Sequence, residues 1–380
     1  MKRKILKAIS QIAFFVYNRV ASLFLKTDKY KVVFASEARD ALKGNLKAVC
    51  EALPAEYKPA VHLKEDRRDC NSFFETMRLW KDLTTAGYIF LDDFYGIVSA
   101  MRVRKEQQIV QLWHGSGAFK KFGFSRIGTG DNIKKVHRGY RKYTKVAVTA
   151  EEIRQCFAEA FDVGIDKVKA VGSPRTDVFF DEESREDAVK RVRRALPQLQ
   201  GKKIVLVAPT YRGRKVEDAT YAFEKLDLQG LAHELGEDYA LVTRWHPALY
   251  SNIKRGICSL WTEGITDASE YEEINDLLIA ADVLITDYSS VIFDWYLLSK
   301  PVIYFVYDLG EYEKGRGLYY DFYEYVYGAV VESSSQLPEA IRKGDMCEDA
   351  RDSFGRKFMS ACDGKSTKRV IEWVLGREEK

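Results

Sequence analysis

Two histidines stand just past apolar runs, where their side chains can do chemistry. His114 follows Ile109–Trp113 and opens the stretch His114-Gly115-Ser116-Gly117, with Lys120 and Lys121 close behind. Histidine is the side chain whose ordinary pKa suits proton transfer near neutrality. Flanking glycines let a substrate approach the backbone. Such a ring is either a general base in a cleft or a residue that only caps a turn. His246 lies in Arg244-Trp245-His246-Pro247. The proline pushes it out of helical geometry, which ends a strand and aims the ring at the strand end. There an imidazole N–H can donate to a phosphate oxygen.

Other strand ends carry cations and hydroxyls. Pro209-Thr210-Tyr211-Arg212-Gly213-Arg214 follows Lys203–Ala208, and guanidinium forks match phosphate oxygens. Thr286-Asp287-Tyr288-Ser289-Ser290 follows Val283–Ile285 and reads as a tight turn into a helix. The first amides of a helix have no partner inside it and can receive an anion. Asp287 or Ser289 can also simply cap that helix. Gly172-Ser173-Pro174-Arg175-Thr176-Asp177 adds Arg175 near a sharp turn, and Lys314-Gly315-Arg316-Gly317 adds Arg316 ahead of an aromatic cluster holding Asp321. Together the set suits binding a diphosphate and moving one phosphoryl group by positioning and charge stabilisation. No P-loop, no G-x-G-x-x-G after a strand and no G-x-S-x-G elbow is present. No Cys/His spacing suits zinc, and the six cysteines lie far apart, as reduced cytosolic thiols would.

The elements that must hold these residues form an alternating series. Candidate strands are Tyr30–Ala35, Ala60–Leu63, Tyr88–Leu91, Ile109–Trp113, Lys145–Thr149 and Val168–Val171, then Lys203–Ala208, Ala240–Trp245, Cys258–Trp261, Val283–Thr286, Val302–Phe305 and Ala329–Val331. Helical patterns fall between them, which argues for parallel sheets, and twelve strands exceed one ordinary sheet. The charged stretch Asp181–Lys203, ending in Pro197 and Gly201, marks the break. The expected architecture is α/β, with two Rossmann-like doubly wound domains facing a central cleft, over 28–197 and 198–380. In such folds ligands sit at the carboxyl ends of the strands. With 380 residues, 46% of them hydrophobic, the chain can bury more than one core, and a net charge of +4 is too balanced for a dedicated nucleic-acid binder.

Residues 1–27 read as an amphipathic helix, too polar to span a bilayer comfortably. Lys4, Gln11 and Asn18 recur on one side, while Ile5, Ile9, Ile12, Val16, Val20 and Leu23 line the other. This helix either lies in a membrane interface, drawn by its cations to anionic lipid, or packs on its own domain. Lys134, Lys135, Arg138, Arg141 and Lys142 form a second basic run, either an anchor or a solvated face.

In order along the chain, HGSG with Lys120, GSPRTD, APTYRGR, RWHP, LITDYSSVIFDW, KPVIYFVYD and RGLYYDF resemble the CDP-glycerol glycerophosphotransferase family of wall teichoic acid synthesis, over about residues 107–323. The resemblance implies a GT-B-like fold with no required metal and no cofactor. It implies transfer of glycerol phosphate from CDP-glycerol to an acceptor hydroxyl, with CMP leaving. Carried over by motif, His114 is the base and His246 holds the donor pyrophosphate. Ser289 and Ser290 bind phosphate, and Thr210 and Arg212 lie near the nucleotide phosphates. Lys120, Arg175, Arg316 and Asp321 complete the substrate-binding set. The chain leaves no room for the long N-terminal region of the family's polymerases. It therefore looks like a primase that adds the first sn-glycerol 3-phosphate to the N-acetylmannosamine of an undecaprenyl-diphosphate-linked disaccharide, working peripherally at the cytoplasmic membrane face. Three alternatives are a glycerol- or ribitol-phosphate polymerase of the same family, a sugar-nucleotide glycosyltransferase on the same fold, and a non-enzymatic membrane scaffold.

Overall fold

The computed structural model describes residues 2–64, 73–127, 138–213, 217–257 and 264–376. The expected strand Cys258–Trp261 and the residues Lys134, Lys135 and Arg214 lie outside the described residues, as do the side chains of residues 1–8 and Arg316.

Among the described residues, twelve strands form two six-stranded, all-parallel sheets. The first contains β1 (Asp28–Ala35), β2 (Lys58–His62), β3 (Ala86–Leu91), β4 (Gln108–Gln111), β5 (Lys145–Val148) and β6 (Val168–Ala170), in the order β2-β1-β3-β4-β5-β6. The second contains β7 (Lys203–Val207), β8 (Tyr239–Thr243), β9 (Thr266–Asp267), β10 (Val283–Thr286), β11 (Val302–Phe305) and β12 (Ala329–Val331), in the order β12-β11-β10-β7-β8-β9. Central strands such as Val283–Thr286 and Val302–Phe305 are buried along their whole length. Helices cover both faces of such a sheet, so its strands read as unbroken apolar runs rather than alternating ones. Each order reverses once: between β1 and β3 in the first sheet, and between β7 and β10 in the second. Crevices at such reversals receive ligands at the strands' carboxyl ends.

The two units are not separated by open solvent along their whole border. Phe293, from the second unit, packs near Phe119 of the first and near Phe354 and Phe358 of the C-terminal stretch. One apolar core runs through this border. The tail then crosses back. In the last helix, Ser366–Leu375, Val370, Ile371 and Val374 bury against Val32 and Phe34 of the first sheet. The amides of Ser366 and Thr367 donate to the Asp177 carboxylate at 3.0 and 2.8 Å. The end of the expected 198–380 unit therefore packs on the first sheet, its apolar stripe joining the core that covers that sheet.

The N-terminal helix, Lys2–Phe24, turns its amphipathic pattern inside out. Asn18 is fully buried; its amide donates to Thr84 Oγ1 at 3.0 Å and its carbonyl accepts from the Arg102 amide at 2.8 Å. Gln11 donates to the Gly96 carbonyl. Phe14 and Tyr17 pack near the Trp80 ring. The stripe Ile9, Ile12, Val16, Val20 and Leu23 is left exposed, Ile12 by 66% and Leu23 by 74%. No helix among the described residues is long and apolar enough to cross a membrane.

Candidate active site

The loop after β4 departs from extended geometry at Trp113, whose φ is +54°. Bulky side chains rarely tolerate that region, so the surroundings must hold it there. Gln111 Oε1 accepts from the Trp113 amide at 2.8 Å, and Asn45 Nδ2 donates to the Trp113 carbonyl at 2.7 Å. Trp113 also stacks on Phe122, with ring centroids 4.8 Å apart. This strained residue presents His114. The ring sits deep in a concave site, yet half its side-chain surface stays open to the cleft. Burial pushes the imidazole below its ordinary pKa; the Asp93 and Asp92 carboxylates oppose this, and Arg175 and Arg39 add to it. Asp93 Oδ1 lies 3.6 Å from His114 Nδ1, within ion-pair reach but too far for a hydrogen bond. The Phe94 amide pins that carboxylate oxygen at 2.6 Å. Asp93 thus stands on the Nδ1 side of the ring.

The loop presses directly on the second unit. Gly117 has φ +66°, and a Cβ there would lie 2.3 Å from two carbons of the Phe293 ring. Both the conformation and the approach require glycine. Ser116 Oγ donates to Asp294 Oδ1 at 2.8 Å, and Arg175 Nη2 pairs with Asp294 Oδ2 at 2.5 Å. A Cβ on Gly115 would stand 3.9 Å from the Ser290 hydroxyl. The loop that carries His114 therefore meets the turn that begins the helix Val291–Tyr296. Ser290 starts that helix with no side-chain capping bond, and its hydroxyl is exposed. Ser289 Oγ accepts from the Val291 amide at 3.4 Å.

Beneath this turn, charge is concentrated and paired. The Thr210 amide donates to Asp287 Oδ1 at 2.7 Å, and its hydroxyl accepts from Lys120 Nζ at 3.1 Å, across the two units. Arg212 forms a fork on Asp308, at 2.6 and 2.9 Å, and reaches Asp287 Oδ2 at 2.9 Å. Burial alone would lower its pKa, but the Asp308 and Asp287 carboxylates win and raise it. Rings of Tyr288 and Tyr312 lie about its guanidinium, both 5.0 Å away. Arg212 is thus a buried strut that shapes the pocket, with its fork already occupied. Arg175 gives only Nη2 to Asp294 and leaves its buried Nε without a partner among the described residues.

His246 lies on the next strand end. The Ala248 amide donates to its Nδ1 at 3.2 Å, so the ring caps the helix Pro247–Lys254. With Nδ1 accepting, the proton of the neutral ring sits on Nε2, and the exposed ring can donate it outward. Tyr211 lies against it, with ring centroids 4.7 Å apart, and Tyr211 follows Thr210 directly. Contacts thus run from Asp287 through Thr210 and its neighbour Tyr211 to His246, and the His114 loop meets the same turn at Ser290. Asp321 sits apart from those contacts as the cap of a short turn, accepting from the Tyr323 amide at 2.9 Å. Arg316 ends the helix Leu309–Arg316, and the following Gly317 carbonyl accepts from the Lys121 amide at 3.0 Å.

Residue types alone did not single out Asn45 or Asp294. The stretch Asp92-Asp93-Phe94-Tyr95-Gly96 follows a candidate strand and reads as able to line the acceptor side; the structure places its Asp93 beside His114. Asn45 and Asp294 act through partners distant in sequence, which no local pattern announces. No group of His, Cys, Asp and Glu among the described residues could hold a metal ion.

The family described as CDP-Glycerol:Poly(glycerophosphate) glycerophosphotransferase matches residues 16–376. The chain is 38% identical over 380 residues to a teichoic acid poly(ribitol-phosphate) polymerase of Bacillus spizizenii, covering 99% of this chain and 61% of that protein. It is 30% identical over 370 residues to a teichoic acid ribitol-phosphate primase of the same species, covering 94% of this chain and 93% of the relative. In structure it is similar to the wall teichoic acid polymerase TagF, with a TM-score of 0.77 at 21% identity over 98% of this chain and 97% of that one, a likeness of fold.

Proposed function

We propose, since the chain belongs to the CDP-glycerol:poly(glycerophosphate) glycerophosphotransferase family, that it transfers a polyol phosphate from a CDP-activated donor to a hydroxyl of a teichoic acid acceptor. The observation that carries this reading is the meeting of the His114 loop with the Ser290 turn across the two units. In the reaction, the acceptor oxygen attacks the phosphorus bearing the polyol, while the bond from that phosphorus to the CMP oxygen breaks. His114 Nε2 takes the hydroxyl proton, a role typically worth ~10²–10⁴ in rate. Asp93 stabilises the imidazolium as it forms. His246 donates its Nε2–H to the departing diphosphate oxygen, Ser289 and Ser290 hold phosphate oxygens, and Lys120 adds positive charge beside Thr210.

For the donor and product, the family description favours CDP-glycerol, and the match to nearly the whole length of a primase favours a single addition to the lipid-linked N-acetylmannosaminyl-N-acetylglucosamine. The likeness to ribitol-phosphate enzymes favours CDP-ribitol as a second reading, and the higher identity to the poly(ribitol-phosphate) polymerase favours repeated addition. One assay separates these readings. The enzyme receives equimolar CDP-glycerol and CDP-ribitol with synthetic lipid-linked disaccharide, either bare or already carrying one glycerol phosphate. Product mass reads the polyol and the chain length. A single glycerol unit on the bare disaccharide supports the primase; ribitol chains on the primed acceptor support the polymerase. No CMP release with any pair refutes the transferase reading. The exposed stripe of the N-terminal helix supports peripheral attachment at the membrane that holds the acceptor.

A further inference from the structure

At the edge of the first sheet opposite His114, the N-terminal helix closes one side of a cavity of about 570 Å³. Phe15 and Arg19 of the helix line it, facing Arg102, Lys105, Lys142 and Lys167. The strand starts fix its position: Gln108 opens β4, Thr144 precedes β5 and Lys167 precedes β6. His114 stands past the other end of β4, so at ~3.3 Å per residue the two sites lie at most roughly 20 Å apart along that strand.

Among the described residues, Arg19, Arg102, Lys105, Lys142 and Lys167 have no carboxylate partner, whereas Arg141 in the same wall is paired with Asp162. Glu106, beside Lys105, is exposed and does not line the cavity. Clustered cations repel one another, and a cavity of this kind is relieved by a polyanion with several acceptor oxygens. Next to it runs the exposed apolar stripe Ile12, Val16, Val20 and Leu23, held outward because Asn18 and Gln11 are tied to the protein. Apolar surface beside unpaired cations complements a leaflet of anionic lipid, its tails against the stripe and its phosphates against the cations.

We propose that this cavity is a phosphate site for the headgroup of an anionic membrane lipid, separate from the catalytic cleft. It rests on the membrane attachment proposed above and deepens it. A headgroup seated there fixes how the protein sits on the bilayer, with His114 no more than roughly 20 Å away along β4.

The test uses the full chain and vesicles of phosphatidylcholine with or without phosphatidylglycerol. Arg102→Gln with Lys105→Gln is expected to weaken binding to the anionic vesicles ~30-fold, about fivefold per cation, with an unchanged melting curve. Lys203→Gln with Lys225→Gln, on the second unit, is expected to change binding less than twofold. Ile12→Ser with Leu23→Ser tests the apolar stripe alone. In solution below its micelle concentration, dihexanoyl phosphatidylglycerol is expected to bind the native chain but not the Arg102/Lys105 variant, and dihexanoyl phosphatidylcholine to bind neither. Full vesicle binding by the Arg102/Lys105 variant, with loss in the Ile12/Leu23 variant, overturns the headgroup site and leaves membrane attachment standing. Unchanged binding by both overturns both. Equal losses from the two cation pairs reveal a diffuse field and overturn a site. Binding of inorganic phosphate without binding of the short-chain lipid assigns the cavity to a free anion and overturns the lipid.

Discussion

Replacing Gly117 with alanine probes how the catalytic loop is seated. The new Cβ would lie 2.3 Å from two carbons of the Phe293 ring. Ordinary carbon contacts begin near ~3.5 Å, so roughly 1.2 Å must be found. The ring cannot supply it: Phe293 is fully buried, with the Phe354 ring at 5.3 Å and Phe358 at 5.6 Å. The loop must therefore move, and it carries His114 three residues away. Alanine at φ +66° adds a backbone penalty of about 1 kcal/mol, and overpacking costs about 1–3 kcal/mol. The expected loss of stability is about 2–4 kcal/mol. A 1 Å misplacement of a reacting group costs on the order of 10² in rate, so kcat should fall about 100-fold. If the donor sits on the second unit, as proposed, its binding should change little. CMP release with saturating donor and acceptor reads the first quantity, titration of the donor by calorimetry the second, and thermal unfolding the third. Adding Phe293→Leu to Gly117→Ala should recover part of the rate but not the backbone penalty. A Gly117→Ala enzyme with native turnover and native melting would refute the claim that this contact seats His114.

Other expectations follow from the same site. The acid limb of the pH–rate profile should fall below the ordinary histidine value of 6.5, because burial lowers the His114 pKa and only the neutral ring accepts a proton; Asp93→Asn removes a charge that raises that pKa, so it should move the limb further down while lowering kcat at its plateau. His246→Asn keeps an acceptor for the Ala248 amide but removes the Nε2–H donor. It should leave melting unchanged and cut turnover by about 10²–10³, whereas His246→Ala should also cost about 1 kcal/mol for the lost cap. Asp294→Asn leaves Arg175 charged and buried between the units, and chemical denaturation should show a loss of about 3–5 kcal/mol; a change under 1 kcal/mol would mean the pair does not tie the units together.

What the amino-acid sequence determined by itself is local. Apolar runs such as Val283–Thr286, Val302–Phe305 and Ala329–Val331 coincide with β10, β11 and β12, because a strand buried on both faces leaves an unbroken signal. It also set which chemical groups stand at strand ends, where a polar residue after such a run must be solvated or paired, as buried Asp287 is with Arg212. Predicted strand ends overran where side chains leave the ladder: Ile109–Trp113 stops at Gln111, because Trp113 adopts a left-handed conformation held by Asn45. Only tertiary structure decided which cations are free. Arg175 and Arg212 read as phosphate ligands, yet Asp287 and Asp308 arrive from more than seventy residues away to occupy the Arg212 fork, and Asp294 takes one nitrogen of Arg175. It also decided that the polar side of the N-terminal helix faces inward, because Thr84 and the backbone near Gly96 and Arg102 offer hydrogen-bond partners that periodicity cannot reveal. Partners of this kind exist only once two sheets have packed, so no window of sequence contains them.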